Sequence, residues 1–238
     1  MIALTPSPLG REALDDLTCE PAVVRATLAD IARANDWFGA RRAAAFALRR
    51  LLADVTPPPT PLLLLDLAAG SGDIAQHLAA AAAADGVTLR PVALDRLRTA
   101  AHRCRDAGLP AIVADAAAIP IPDRSVDIVL VSQFLHHLDR DAAVAVLRRL
   151  NRLARLGVIV LDERRSFVAV VGFWIGATLL RFHPVSRHDG VLSIRRSFDA
   201  PELASVIARA GVAAAVHRRP GFRLVAAWKS GHAHHRPD

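Results

Sequence analysis

Leu62-Leu63-Leu64-Leu65-Asp66-Leu67-Ala68-Ala69-Gly70-Ser71-Gly72-Asp73 is the stretch that decides the fold. An apolar run of strand length carries an acid near its end, enters a turn of small residues and meets Asp73 at the head of an alanine-rich stretch. Such a turn admits a ligand close to the backbone, and the helix N-terminus behind it presents unpaired N–H groups. Working outward, the chain alternates apolar runs with amphipathic stretches. Strands are predicted over Leu62–Leu67, Thr88–Leu94, Ala111–Ala114, Asp127–Ser132 and Gly157–Leu161. Helices are predicted over Asp73–Ala84, Leu97–Ala107 and Arg140–Arg155. Apolar strands joined by helices give a parallel sheet covered on both faces.

Upstream, Val24, Leu28 and Ile31 recur at helical spacing from Pro21 to about Ala34, and a second helix runs from Ala40 to about Ala53. Pro57-Pro58-Pro59-Thr60-Pro61 stops it and serves as a linker. Downstream, a helix over Phe167–Leu180 precedes a polar loop, 181–199, and a helix opened by Asp199 and Pro201. Strands 212–218 and 222–229, separated by Arg219-Pro220-Gly221, should pair as an antiparallel hairpin. The division is a lead-in and helical segment over 1–56, the main domain over 57–230, and a frayed tail over 231–238.

With 53% hydrophobic and 22% charged residues in 238, the chain has the composition of a packed domain, which excludes disorder and a disulfide-stapled scaffold. The net charge of +7 comes almost wholly from arginine, Lys229 being the one lysine, and the arginines are scattered doublets rather than a stripe. Nucleic acid is therefore not the expected partner. Cys19 and Cys104 lack metal or redox spacing, and the first ten residues lack a signal-peptide pattern, so a reduced, cytoplasmic protein is expected. The longest uncharged stretch, Ser166 to Leu180, has 15 residues, too few to span a bilayer.

Two nucleotide readings compete at the turn. Gly70-Ser71-Gly72-Asp73-Ile74-Ala75 matches a dinucleotide fingerprint, with Asp95 as the acid ending the next strand, which would make an NAD(P)-dependent oxidoreductase. That reading leaves Asp66 and Asp115 without work. An Asp at a strand end also caps a following helix, so any one of the three has an ordinary structural explanation, whereas the set points to a ligand.

With Asp66, Gly70 and Gly72 in the first motif, Leu94-Asp95-Arg96, Ala114-Asp115-Ala116 and the run from Ile119 to Val129, the sequence resembles the class I S-adenosylmethionine-dependent methyltransferases. Within them it is similar to the ubiquinone/menaquinone biosynthesis group over about residues 20–230. The resemblance implies an α/β, Rossmann-like fold: a mostly parallel seven-stranded sheet, a C-terminal antiparallel hairpin and an N-terminal helical lid. It implies S-adenosyl-L-methionine as cofactor and S-adenosyl-L-homocysteine as product. Asp66, Ala68 in place of the family's first glycine, Gly70, Ser71 and Gly72 would form the binding turn. Asp95 and Arg96 would meet the ribose, Asp115 and Ala116 the adenine, and Ser132 the methionine part. Asn35 to Arg42, with Trp37, looks like the lid that precedes the fold in the quinone methyltransferases.

In-line displacement at a sulfonium methyl asks the protein mainly to position donor and acceptor. A phenol or quinol acceptor gains from a base, since its ordinary pKa is near ~10. His188 and His136 are the catalytic candidates, with His137 and His183 as rivals, and Trp37, Gln133, Arg187 and Asp189 the expected substrate contacts. No metal is expected, because no histidine stands with Cys or carboxylate at zinc spacing. The expected function is methyl transfer to an apolar or aromatic small molecule of phenolic or quinol type, with peripheral membrane contact through Phe167–Leu180 left open. Nucleic-acid methylation and a binding module without turnover remain as alternatives.

Overall fold

Leu64, Leu65 and Leu67 are each at most 1% exposed, as a strand covered on both faces requires. They belong to β1 (Leu62–Leu67) of the computed structural model, which describes residue 10 and residues 12–231. Two helices, α1 (Pro21–Trp37) and α2 (Ala40–Leu52), precede it. The alternation then proceeds through α3 (Asp73–Ala84), β2 (Leu89–Asp95), α4 (Arg98–Asp106), β3 (Ala111–Val113), β4 (Val126–Ser132), α5 (Arg140–Leu153) and β5 (Ala154–Glu163). Three helices follow, α6 (Phe167–Leu179), α7 (Pro184–Arg196) and α8 (Ala200–Arg209), and the hairpin β6 (Val216–Arg219) with β7 (Arg223–Lys229) closes the domain.

The seven strands lie in the order β3-β2-β1-β4-β5-β7-β6, with β1 to β5 parallel and β7 antiparallel to both its neighbours. Residues alternate between two cores. Leu64, Ile128, Ile159 and Val225 face α2 and α3; Leu65, Val129, Val158 and Leu224 face α5 and α8. Strand order reverses between β1 and β4, which opens a crevice beyond their carboxyl ends, where such sheets bind ligands.

Three expectations need correction. The segment read as a polar loop, 181–199, is mostly α7, with Pro184 in its first turn and the His183 side chain accepting from Val185 N. Its buried face mixes Ser186 and Asp189 with Leu192 and Ile194, so no apolar period marks it. The lead-in, read from sequence as residues without a periodic pattern up to residue 20, is tied down at residues 12–15: the Ala13 amide donates to Asp189 Oδ2 at 2.7 Å, and Arg196 meets Glu12 and Asp15 at 3.3 Å. The hairpin strands are shorter than expected, and α5 stops at Leu153 because Ala154 already pairs with Val126 in the sheet. Asp127 is structural, accepting from the Leu63 amide and pairing with Arg155. The tail beyond residue 231 lies outside the described residues.

Close strand packing makes one position intolerant of a side chain. A Cβ at Gly157 would stand 2.2 Å from Trp228 O and 2.6 Å from Leu51 Cδ1. Gly157→Ala should therefore force β5 from β7 and cost about 1–3 kcal/mol, read as a lower urea midpoint at unchanged slope.

Candidate active site

A cleft of about 440 Å³ opens at the crevice. Its floor is the turn from β1 to α3, and its walls come from α1, the strap 12–15, the ends of β2 and β4, α6 and α7.

At one end the strand-terminal acids gather. Asp95 ends β2; its Oδ2 accepts from the Gly70 amide at 2.9 Å and its Oδ1 from the Leu97 amide at 2.8 Å. Asp66 lies beneath the turn, 1% exposed, and neither carboxylate oxygen has a hydrogen-bond partner among the described residues. Burial, reinforced by the charges of Asp73 and Asp95, pushes its pKa well above the ordinary carboxylate range. Burial beside Asp66 and Asp95 also raises the Cys104 thiol to about 12, so it stays protonated and unreactive. Ala68, standing where the family motif has glycine, holds φ 55°, a left-handed conformation that costs a residue with a Cβ on the order of 1–2 kcal/mol. A Cβ at Gly72 would meet Leu109 Cδ2 at 2.3 Å; this glycine serves helix packing and does not line the cleft.

The excess of carboxylates decides between the two nucleotide readings. A pyrophosphate needs free amides and positive potential at the turn, but the Gly70 amide is already given to Asp95, with Asp66 and Asp73 close behind. Asp73 pairs with Arg41 at 3.3 Å, which leaves Asp66 as the acid without a partner, and a ligand that carries positive charge suits this end better than an anionic one. S-adenosylmethionine, with its sulfonium and ammonium, fits this residue set.

The lid belongs to the same network. Asn35 is 2% exposed; its Nδ2 donates to Asp73 at 3.2 Å and its Oδ1 accepts from Gln133 Nε2 at 2.6 Å. Gln133 itself holds φ 50° at the end of β4, the kind of local strain that concentrates at ligand sites. α1 therefore runs through Asn35 to Trp37, past the end expected for it.

At the other end of the cleft His136, on a short 3₁₀ turn after β4, is 6% exposed. Its Nδ1 lies 2.6 Å from Asp162 Oδ1 and 3.5 Å from Glu163 Oε2, and its Nε2 has no partner among the described residues. Burial alone would depress this imidazole, yet the Asp162 carboxylate outweighs it and lifts the pKa to about 10. Glu163 is in turn held down to about 2, the Arg223 guanidinium at 2.7 Å overcoming its burial. His137 faces Asp15 at 2.9 Å, and the Arg196 guanidinium meets Asp15 as well, so Asp15 stays ionised despite burial. Glu12, His136 and His137 bring ligand-type atoms within 4.8 Å of one another, but Arg196 and Asp162 already supply their charge partners.

Of the residues singled out from sequence, Trp37, Ala68, Gly70, Ser71, Asp95, Arg96, Asp115, Ala116, Ser132, Gln133, His136 and Asp189 line the cleft. Arg187 and His188 do not. The His188 side chain is 74% exposed and bonds its own neighbour, Asp189 Oδ1, at 3.1 Å; of the two catalytic candidates only His136 lines the cleft. Asp189 points inward, and its Oδ2 anchors the strap at the Ala13 amide. Arg96 is likewise engaged, donating to the Leu14 and Asp15 carbonyls. Sequence reasoning missed Asp162, Glu163, Arg223, Glu12 and Asp15. The one available signal was the pair of acids ending an apolar strand, Asp162-Glu163.

The fold is that of the class I S-adenosylmethionine-dependent methyltransferases. Residues 64–157 match the family described as Methyltransferase domain. Over 93 residues the chain is 37% identical to the ubiquinone/menaquinone biosynthesis C-methyltransferase UbiE of Burkholderia cenocepacia (strain HI2424), covering 37% of this chain and 38% of that one. The chain thus aligns with well under half the length of the curated relatives it matches. Among solved structures, a SAM-dependent methyltransferase from Aquifex aeolicus superposes with a TM-score of 0.57 at 15% identity, covering 89% of this chain and 99% of that one. The neocarzinostatin-biosynthesis O-methyltransferase NcsB1, solved with S-adenosylhomocysteine and 1,4-dihydroxy-2-naphthoic acid, gives 0.62 at 19% identity, covering 91% and 61%. The family match ends before α6 and α7.

Asp95→Ala should weaken S-adenosylhomocysteine binding in calorimetric titration by roughly 1–3 kcal/mol, the scale of charge-assisted hydrogen bonds to a buried ligand. Asp66→Asn, which removes charge at constant shape, should weaken S-adenosylmethionine more than its uncharged-sulfur product. NAD should leave the melting temperature unchanged. Tight dinucleotide binding without a response to S-adenosylhomocysteine would overturn the assignment.

Proposed function

We propose that the protein transfers a methyl group from S-adenosylmethionine to a hydroxylated aromatic small molecule of the phenolic or quinol type. The observation that carries this reading is His136: a buried imidazole, held by Asp162 on one nitrogen and left without a partner on the other, at the end of the cleft away from the acid-lined turn. Phe134, Phe173, Phe182 and Phe222 line the same cleft and suit a flat apolar ring. The names of the relatives support the acceptor class, one group methylating carbon in quinone biosynthesis and one structure holding a dihydroxynaphthoic acid.

When bound, the donor supplies an electrophilic sulfonium methyl. The protein's part is to present a nucleophile in line and make it electron-rich. With a pKa near 10, His136 is an imidazolium at neutral pH, so its Nε2–H donates to the acceptor oxygen and favours the phenolate, the phenol's own proton leaving to solvent before the methyl is transferred. Negative charge spread from that oxygen into the ring activates both oxygen and the adjacent ring carbon. Asp162 keeps the proton on His136, and Glu163 with Arg223 fixes Asp162's surroundings as a closed set of charges. Residues of α1, α6 and the strap keep water from the reacting centre.

Two measurements test this. A panel of phenols and quinols incubated with the donor should show a one-methyl mass gain, and His136→Ala should lower turnover about 10²-fold or more with donor affinity unchanged. That deficit should shrink as pH approaches the phenol pKa of ~10, where solvent delivers the phenolate unaided. An acceptor whose methylation is unaffected by His136→Ala overturns the role of this residue.

The raised pKa also has a stability consequence. His136 binds its proton more tightly in the folded chain than at its ordinary 6.5, so its contribution is complete below about 6.5 and lost as pH climbs toward about 10. Urea titrations at those two pH values should show wild type losing stability over this window and His136→Gln lacking that component of the loss.

A further inference from the structure

α6 departs from the rule that an all-apolar helix is a buried helix. Phe167 is 80% exposed, Val168 63%, Val171 40%, Trp174 57%, Ile175 47% and Leu179 77%. From Phe167 these positions are i, i+1, i+4, i+7, i+8 and i+12, so they form one continuous face. The opposite side of the same helix is spoken for: Ala169 and Phe173 line the cleft, and Gly176 and Gly190 leave room for the Phe38 and Phe173 rings. Trp37, 65% exposed, extends the apolar surface across the cleft mouth.

We propose that this face docks on an anionic lipid bilayer and opens the cleft toward it. Three observations select a bilayer over another occupant. From Arg164 to His188 the chain has four arginines and no Asp or Glu; Arg165 pairs with Asp199 and Glu202, and the other three leave the apolar face in a net positive stretch. Arg181, exposed two residues beyond the helix end, has no acidic partner among the described residues. Cations beside an apolar helix suit a negative headgroup layer and would repel a second copy of the same face. Two tryptophans at the edge of the patch match the amphipathic ring that settles at a headgroup boundary. Thirteen residues reach only about 20 Å, and no described helix is long and apolar enough to cross a membrane, so α6 would lie in the interface.

Docking stands on α6 and its arginines alone. Its consequence, that a bilayer-dissolved acceptor enters through Trp37 and Phe173 without crossing water, rests on the acceptor class proposed above. The two can fail separately.

The experiment is flotation with vesicles of phosphatidylglycerol and phosphatidylcholine in equal parts, against vesicles of phosphatidylcholine alone. Wild type should float with the anionic vesicles, less so at high salt, with a blue shift in tryptophan emission. Phe167→Ser with Leu179→Ser should lower the partition coefficient about tenfold or more while the melting temperature and its rise with S-adenosylhomocysteine stay unchanged, as expected of exposed side chains. Methylation of a short, water-soluble phenol without vesicles should be the same in both proteins, which separates docking from chemistry. No flotation with anionic vesicles, or flotation indifferent to the double substitution, overturns the proposal. A dimer in solution that the substitutions dissociate also overturns it, because the face then belongs to a second copy.

Discussion

Carboxylates buried where strands end are the constraint on which the rest of this structure depends. Asp66, Asp95, Asp162 and Glu163 sit at or next to the carboxyl ends of β1, β2 and β5, each at most 9% exposed. A buried charge without compensation is costly, so each must find a partner or surrender its charge. Asp95 takes two backbone amides, Asp162 takes His136, and Glu163 takes Arg223 from the neighbouring strand. Asp66 takes nothing, and its carboxyl is pushed toward the neutral form. One end of the cleft therefore keeps an acid without a partner, and the other is balanced around a histidine.

The cover over this cleft comes from parts of the chain far apart in sequence. Asn35 of α1 bridges Asp73 and Gln133; Ala13 of the strap hangs on Asp189 of α7; Arg223 of β7 donates through Nε to the Phe38 carbonyl at the end of the lid. Each contact joins a covering element to a rigid one by hydrogen bonds rather than by apolar burial. The central sheet supplies the apolar core, so the cover adds little to it, and this is the division expected of a site whose walls admit ligands.

Much of the fold was legible in the sequence because its signals are local. The leucine run, the small-residue turn and the alternation of apolar runs with alanine-rich stretches give β1 to β5 within a few residues, and the Arg219 to Gly221 turn gives the hairpin. The donor end of the cleft was legible for the same reason, since Asp66, Asp95 and Asp115 each follow an apolar strand. The other end was not. His136 meets Asp162 across 26 positions and Glu163 meets Arg223 across 60, and no spacing rule reports such pairings. α7 was hidden because its buried face is partly polar, serving the strap and the cleft, and so reads as a loop. His188 drew notice as a histidine beside an acid, yet neighbours on a helix point in different directions, and Asp189 took the inward one.

The register of β5 with β7 sets an order of assembly. β5 has β4 on one side from the moment both exist, but its other edge pairs only with a strand that begins at Arg223, after the three intervening helices have been made. Until that strand arrives, β5 is an open edge and Glu163 has no guanidinium beside it. The lid waits as well, because Phe38 is held by the same arginine. A nascent chain can thus build β1 to β4 early, while the cover over the cleft forms only once Arg223 is available, a long-range closure of the kind that folds late.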